Sequence, residues 1–432
     1  MNLASRVVCA GCGTVAPDAG ALPARCLAAG SGDDVDHVLV RELDLTGCRF
    51  PFDGDESPLV RYRGLLHAYR AARRQGVSDE QWVARAGELD QRLGEVDSGG
   101  FRSTPLDERP TLAAALGAGS LWIKDETAGV GGTHKARHLA PLALHRWLTE
   151  PDRRPRLAVA SCGNAALAAA LLARALDWPL EAHVPVQIAP AVAERLSELG
   201  VRLVPCERDG SPGDPCQRSL LSAVAEGAVP FSCQGSANGL AIEGGATLVW
   251  EVVARDGPQA APIDNVIVQV GGGALASAVS LGFHDAHALG AITRRPRLFC
   301  VQGDGCAPLE GAWGRLAAQG ALNPEGMTGA VRRRSQVMLP WTPAPSGLAE
   351  GLLDDETYDW AALVRGMLES GGRPLVVSDE ELRRAGGLAQ EHTGIDVDAS
   401  GVAGLAGWAR LCQEGVIGAD ERSLVLFTGA RG

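Results

Sequence analysis

The chain has 432 residues, 46% hydrophobic and 21% charged, enough apolar material for about two to three packed domains and too little polarity for a disordered one. Lys+Arg 40 against Asp+Glu 52 gives a net charge of −12, which argues against a nucleic-acid partner, because neutralising phosphates needs a basic face. No apolar run reaches the ~18 residues of a membrane span, the N-terminus MNLASRVVCAGCG has no charged-then-apolar leader, and the 11 scattered cysteines fit reduced thiols. The expectation is a cytoplasmic protein without a membrane partner.

Residues 1–95 read as an N-terminal extension, with weak periodicity over residues 1–60. Cys9-Ala-Gly-Cys12 is a C-x2-C knuckle, and Cys26 and His37 follow at spacings that complete a candidate zinc site. The alternative is an ordinary turn with free thiols. Leu65, Leu66, Tyr69, Trp82, Leu89 and Leu93 then recur at helical spacing, which predicts two helices packed on the main body.

From residue 103 onward, short apolar runs alternate with amphipathic stretches. Strands are predicted at 121–123, 157–160, 180–186, 201–205, 229–232, 266–270, 298–301, 374–377 and 424–427, and helices at 165–176, 191–199 and 274–288. Buried runs separated by helices predict α/β architecture with two open, twisted, mostly parallel sheets. The large domain is expected at 96–139 and 246–432, with a small α/β domain at 140–245 between them. Residues 311–372 are the least regular part.

Of the 40 basic residues only Lys124 and Lys135 are lysines. In a chain so biased toward arginine, a surviving lysine points to chemistry that an always-protonated guanidinium cannot supply. Lys135 lies beyond Gly129, Gly131 and Gly132, with Thr133 as the predicted N-cap, in the first turn of a helix. There the positive helix end favours its free amine. A second turn, Ser161-Cys162-Gly163-Asn164-Ala165, joins a strand to a helix and offers backbone N–H groups to an anion, with an amide at Asn164 for a ring hydroxyl. A third, Gly271-Gly272-Gly273-Ala274-Leu275, opens an alanine-rich helix and forms a phosphate cradle of amides. It has neither the G-x-G-x-x-G nor the G-K-[ST] signature of nucleotide sites. An amine, a hydroxyl partner and a phosphate cradle together suit pyridoxal phosphate.

These motifs, with Ser103-Thr104-Pro105-Leu106, Lys124-Asp125-Glu126 and Phe427-Thr428-Gly429, resemble in order the tryptophan synthase β-like, fold-type II pyridoxal-phosphate enzymes, threonine synthase above all. The resemblance covers about residues 100–432. It implies that Lys135 holds the cofactor as a Schiff base, that Asn164 bonds its ring hydroxyl, and that the backbone of Gly271, Gly272, Gly273, Ala274 and Leu275 binds its phosphate. It further implies that Ser161, Cys162, Gly163, Asn164 and Ala165 receive the carboxylate of a small amino-acid substrate. Thr428 would face the pyridine nitrogen as a neutral hydroxyl, which suits elimination and replacement, and the family implies a homodimer. Threonine synthases carry an aromatic residue before the lysine and Asp-Arg-Gly after it. Here His134 and Ala136-Arg137-His138 stand there, and Pro141 predicts a kink in the following helix. Ser346–Asp355 is expected to line the cleft, and Glu243–Thr247 to be structural. The functional expectation is a threonine synthase-like lyase. Its alternatives are a serine/threonine ammonia-lyase or cysteine-synthase-like β-replacement enzyme, and a non-catalytic α/β ligand binder.

Overall fold

The computed structural model describes residues 2–430 apart from 19, 31, 97, 98, 118, 212, 256 and 258–261. Its strands are β1 Ser5–Cys9, β2 Leu39–Leu43, β3 Leu106–Glu108, β4 Ser120–Asp125, β5 Leu157–Ala160, β6 Leu180–Pro185, β7 Arg202–Cys206, β8 Val229–Pro230, β9 Asn265–Gln269, β10 Arg297–Gly303, β11 Pro374–Val377 and β12 Arg422–Phe427. They form a β1-β2 pair, a six-stranded sheet in the order β11-β10-β9-β12-β4-β3, and a four-stranded sheet in the order β7-β6-β5-β8. The four-stranded sheet is wholly parallel. The larger sheet is parallel except for β3, which runs antiparallel to β4 at its edge. Among the described residues no helix is long and apolar enough to cross a membrane.

The continuous apolar runs arise because both faces of the larger sheet are covered. Leu424 and Leu426 pack in one core cluster while Val425 and Phe427 pack in another. Val266 and Val268 likewise belong to the first and Ile267 to the second. With both faces dry, the period-2 alternation of a half-exposed strand vanishes from the sequence.

The N-terminal 60 residues hold a regular pair that the sequence reading leaves out. Ser5–Cys9 pairs antiparallel with Leu39–Leu43. Two five-residue strands separated by a long irregular segment leave no local repeat, and β3, three residues long, is equally silent. Arg41 on β2 is buried by pairing with Asp285 and Glu243. The two helices expected after residue 58 are His67–Arg74 and Asp79–Val96, preceded by a short turn of helix at Pro58–Arg61. The kink expected at Pro141 does not interrupt the element: the helix runs from Lys135 to Thr149 with Pro141 inside it. Proline removes the N–H that would have bonded the Arg137 carbonyl. Gly244 packs on that carbonyl so closely that a Cβ there would lie 2.1 Å from the oxygen.

One buried cluster of charge ties these parts together. Lys124, on β4, donates to Glu251 Oε2 at 2.5 Å and to the Thr104 carbonyl at 2.7 Å. Arg137 donates to Glu126 Oε2 at 2.7 Å and Glu251 Oε1 at 2.5 Å. The Thr104 hydroxyl donates to Glu126 Oε1 at 2.5 Å. All four charged side chains are at most 4% exposed, and two cations balance two carboxylates. Burial alone would raise the Glu251 carboxyl, but Arg137 and then Lys124 outweigh it and hold it below the usual range. Glu251→Ala leaves Lys124 without its carboxylate and Arg137 with one partner fewer. The expected loss is about 3–5 kcal/mol, read as a lower urea midpoint with an unchanged m-value; a loss under ~1 kcal/mol contradicts the assignment.

Candidate active site

In parallel sheets, helix N-termini and loop amides gather at the carboxyl ends of the strands. Here β9, β12 and β4 are neighbours, so the segments that follow them emerge side by side. After β4, the chain passes through Gly131 and Gly132, both with left-handed φ (+68° and +67°), and Lys135 begins the helix. His134, not Thr133, occupies the cap position, while the Thr133 hydroxyl accepts from Lys135 N at 3.4 Å. After β12, the Ala430 N–H donates to the Gly132 carbonyl at 3.0 Å, which joins the last strand to the glycines before Lys135.

After β9, Gly273 caps the helix Ala274–Ala288 with φ +103°, a conformation that favours glycine. A Cβ on Gly271 would lie 2.7 Å from Asp354 Oδ2, and one on Gly272 would lie 2.9 Å from the Tyr358 ring. The turn therefore presents bare amides, with segment 351–359 packed against it. The Asp354 carboxyl lies against both glycines, since a Cβ on Gly272 would also come within 3.2 Å of its Oδ2.

The smaller sheet contributes the fourth segment. Gly163 caps the helix Asn164–Leu176, Cys162 is exposed, and Ser161, Gly163, Asn164 and Ala165 are partly so, which leaves this turn open to a ligand. Asn164 reaches across to the other sheet: a Cβ on Gly429 would lie 3.2 Å from its Nδ2. Although the residue as a whole is exposed, partial desolvation of its sulfur, with the carboxylates Asp214, Asp354 and Glu350 adding to it, pushes the Cys162 thiol up, which disfavours the thiolate form.

The sequence singles out Asp354 and His134, whereas Gln269, Asp359 and Cys233 at this edge are not singled out there. Gln269, the last residue of β9, donates from Nε2 to Thr428 Oγ1 at 2.5 Å, to the Gly401 carbonyl at 3.1 Å and to the Leu426 carbonyl at 3.0 Å. This bond occupies a lone pair of the Thr428 hydroxyl and leaves its proton to donate elsewhere. Asp354, Asp359 and Cys233 each feel the Lys135 charge, and the Cys233 thiol donates to the Lys135 carbonyl at 3.6 Å. Burial pushes Asp359 up to about 7. His134 is buried with both ring nitrogens unbonded, and burial first, then Lys135, holds it neutral. A signal for Gln269 existed, a lone polar residue in an apolar strand, but nothing local says what it faces. Lys124 turns out to belong to the charge cluster. At the N-terminus, the donor atoms of Cys9, Cys12, Cys26 and His37 all lie within 4.8 Å of one another.

Residues 98–429 match the family described as pyridoxal-phosphate dependent enzyme, and the chain belongs to that family. Its cofactor is pyridoxal phosphate. Threonine synthase of Methanocaldococcus jannaschii is 31% identical over 197 residues, 45% of this chain and 43% of that protein, so the match spans less than half of this relative. Threonine synthase of Mycobacterium leprae is 26% identical over 327 residues, 76% of this chain and 80% of that protein. The processed form of threonine deaminase isoform 2 from Solanum lycopersicum has the same fold, with a TM-score of 0.59 and 17% identity over 82% of this chain and 91% of that one. The fold is therefore the two-sheet α/β architecture expected from the motifs.

The cofactor fits the residues present on structural grounds: a lysine, a bare-amide turn opening a 15-residue helix and a neutral hydroxyl stand at the ends of three adjacent strands. Gln269→Leu strips the donor from Thr428 and from two buried carbonyls. Its expected cost is about 1–3 kcal/mol of stability, measured by urea unfolding, together with weaker pyridoxal phosphate binding in a fluorescence titration.

Proposed function

We propose that the chain is a pyridoxal-phosphate-dependent lyase that carries out elimination or replacement at Cβ or Cγ of a small amino acid, as the threonine synthases it resembles suggest by name. The observation that carries this reading is the convergence of Lys135, Thr428 held by Gln269, and Gly271–Leu275 on one sheet edge, with Asn164 reaching in from the other sheet. When bound, pyridoxal phosphate supplies an electron-withdrawing ring that makes the α-proton of an amino acid removable.

The chain's own residues supply the rest. Lys135 anchors the cofactor and, once its amine is free, takes the proton from the substrate Cα. The amides and hydroxyl of residues 161–165 receive the substrate carboxylate, which fixes the Cα–H bond toward the lysine. Asn164 orients the ring hydroxyl, and the turn 271–275 holds the phosphate on the helix N-terminus. Thr428, a neutral hydroxyl fixed by Gln269, would face the pyridine nitrogen when the cofactor is bound and, lacking a negative charge, would suit elimination and replacement over transamination. In this reading residues 140–245 form the small domain, the assembly is a homodimer, and the compartment is the cytoplasm. Zinc enters only as a structural ion at the N-terminal knuckle.

Keto acid formed from serine or threonine supports elimination, and phosphate released from O-phosphohomoserine supports the synthase reaction. Either should fall roughly 10^3-fold in Lys135→Ala. Borohydride reduction of the coloured protein followed by peptide mapping should place the adduct on Lys135; an adduct on Lys124 overturns the site.

A pH dependence follows from Asp354. Burial pushes its carboxyl up to about 6 from 3.8, so the folded chain keeps a proton that the unfolded chain releases. Stability from this group is present below pH 3.8 and is lost as pH rises to about 6, above which a constant penalty remains. Asp354→Asn is expected to match the wild type at pH 4 and to exceed it by about 1–3 kcal/mol at pH 7.

A further inference from the structure

Between β1 and β2, residues 10–38 contain no helix and no strand among those described, only an isolated bridge from Val8 to Val15. The segment is nevertheless held in one shape. Gly13 takes φ +79°, its N–H donates to the Cys9 carbonyl at 2.9 Å, and the Ala10 N–H donates to the Val38 carbonyl at 2.8 Å. Gly11 passes so close to residue 36 that a Cβ would meet the Asp36 carbonyl oxygen at 2.3 Å. These contacts press the Cys9–Cys12 turn against the stretch that carries His37.

All four donor atoms lie within 4.8 Å of one another, and two of the distances between them match the edges of a tetrahedral site. Zinc bonds of ~2.3 Å to sulfur and ~2.0–2.1 Å to nitrogen give tetrahedral edges of about 3.8 Å between sulfurs and about 3.6 Å between sulfur and nitrogen. Cys12 Sγ lies 3.7 Å from Cys26 Sγ, and Cys9 Sγ lies 3.4 Å from His37 Nδ1. The histidine is also set up for ligation. Its Nε2 bonds Asp33 Oδ2 at 3.1 Å, which assigns the proton to Nε2 and turns the Nδ1 lone pair toward the sulfurs, the usual outer support of a metal-bound imidazole. Asp33 is itself fixed by the Gly30 and Val35 N–H groups at 2.8 and 3.1 Å. The Ala28 N–H points at Cys26 Sγ at 3.4 Å. Three thiols and one imidazole select zinc over calcium or magnesium, and four protein donors leave no open position for catalysis.

We propose that Cys9, Cys12, Cys26 and His37 bind one zinc ion, which staples the N-terminal extension onto the segment backing the lysine-bearing helix. The chain of contact runs inward from the knuckle. Cys9, Cys26, Val7, Leu39 and Leu240 form one apolar cluster, and a Cβ on Gly239 would meet the Leu39 carbonyl at 1.9 Å. Beyond Leu240, the Ala241 carbonyl bonds His138 Nδ1 at 3.0 Å, one turn past Lys135. Glu243 accepts from the His67 and Ala68 N–H groups at 2.6 and 2.9 Å. The proposal rests on the donor set and not on the reaction proposed above.

The full-length holoenzyme, purified without added metal and without chelator, is expected to carry one zinc per chain by plasma mass spectrometry. Cobalt substitution should give the visible bands of tetrahedral thiolate ligation. Cys12→Ser/Cys26→Ser should lose more than tenfold of its zinc, whereas His37→Cys, which keeps four soft donors, should retain it. Removing the metal should speed proteolytic cleavage within residues 10–38 at least tenfold. A metal-free preparation whose thiols stay equally reactive on adding zinc, or a Cys12–Cys26 disulfide in non-reducing peptide maps, overturns the site. Equal cleavage rates with and without metal overturn the stapling role. Cofactor absorbance of the same samples reports the catalytic site independently.

Discussion

The buried pairing of Lys124 and Arg137 with Glu126 and Glu251 is the constraint on which the rest of the larger domain depends. Arg137 stands two residues beyond Lys135, on the same helix, and both its carboxylates come from elsewhere: Glu126 follows β4 and Glu251 lies on the helix Thr247–Ala254. A dry ion cluster tolerates little displacement, because each charge pays a large desolvation cost that only close partners offset. The start of the lysine helix is therefore fixed relative to the end of β4 by electrostatics as well as by packing. The glycines ahead of Lys135 can then take left-handed conformations without leaving the lysine adrift.

The polar groups at the sheet edge follow the same logic. Gln269 sits at the end of an apolar strand, and its amide nitrogen shares its two protons among two carbonyls and the Thr428 hydroxyl, so one buried amide fixes the orientation of the hydroxyl at the end of the neighbouring strand. Asp354 and Asp359 sit against the glycine turn with raised carboxyls. An edge that gathers helix N-termini, a lysine and buried acids is tuned by burial more than by any single charge pair. The segment 351–359, irregular in sequence, gains its place by lying against Gly271–Gly273, whose missing side chains let it approach.

The scarcity of lysine is instructive in both directions. Lys135 begins the helix that follows the glycines after β4, while Lys124 serves a structural cluster. Its single ammonium, on an unbranched stem, reaches one carboxylate and one carbonyl at the sheet edge, with Arg137's forked guanidinium beside it. A count of residues identifies positions where arginine fails but does not say whether nucleophilicity or shape is the reason.

The sequence by itself determined the fold class, the cofactor and the order of the glycine turns along the chain, because apolar strands, glycine turns and the residues flanking them are local signals written within a few residues of one another. Boundaries followed for most core strands, since runs such as 157–160 and 374–377 are bounded by turns. Tertiary structure alone decided the β1-β2 pair, the charge cluster of Lys124, Arg137, Glu126 and Glu251, the fixing of Thr428 by Gln269, and the contact of Asp354 with the glycine turn. Each joins residues separated by many positions, and the free energy that selects them comes from desolvation on packing, which leaves no periodic trace along the chain. The knuckle stands between the two cases: Cys9 and Cys12 announce it locally, but only the folded segment brings Cys26 and His37 to tetrahedral distance, through backbone contacts that no spacing rule contains.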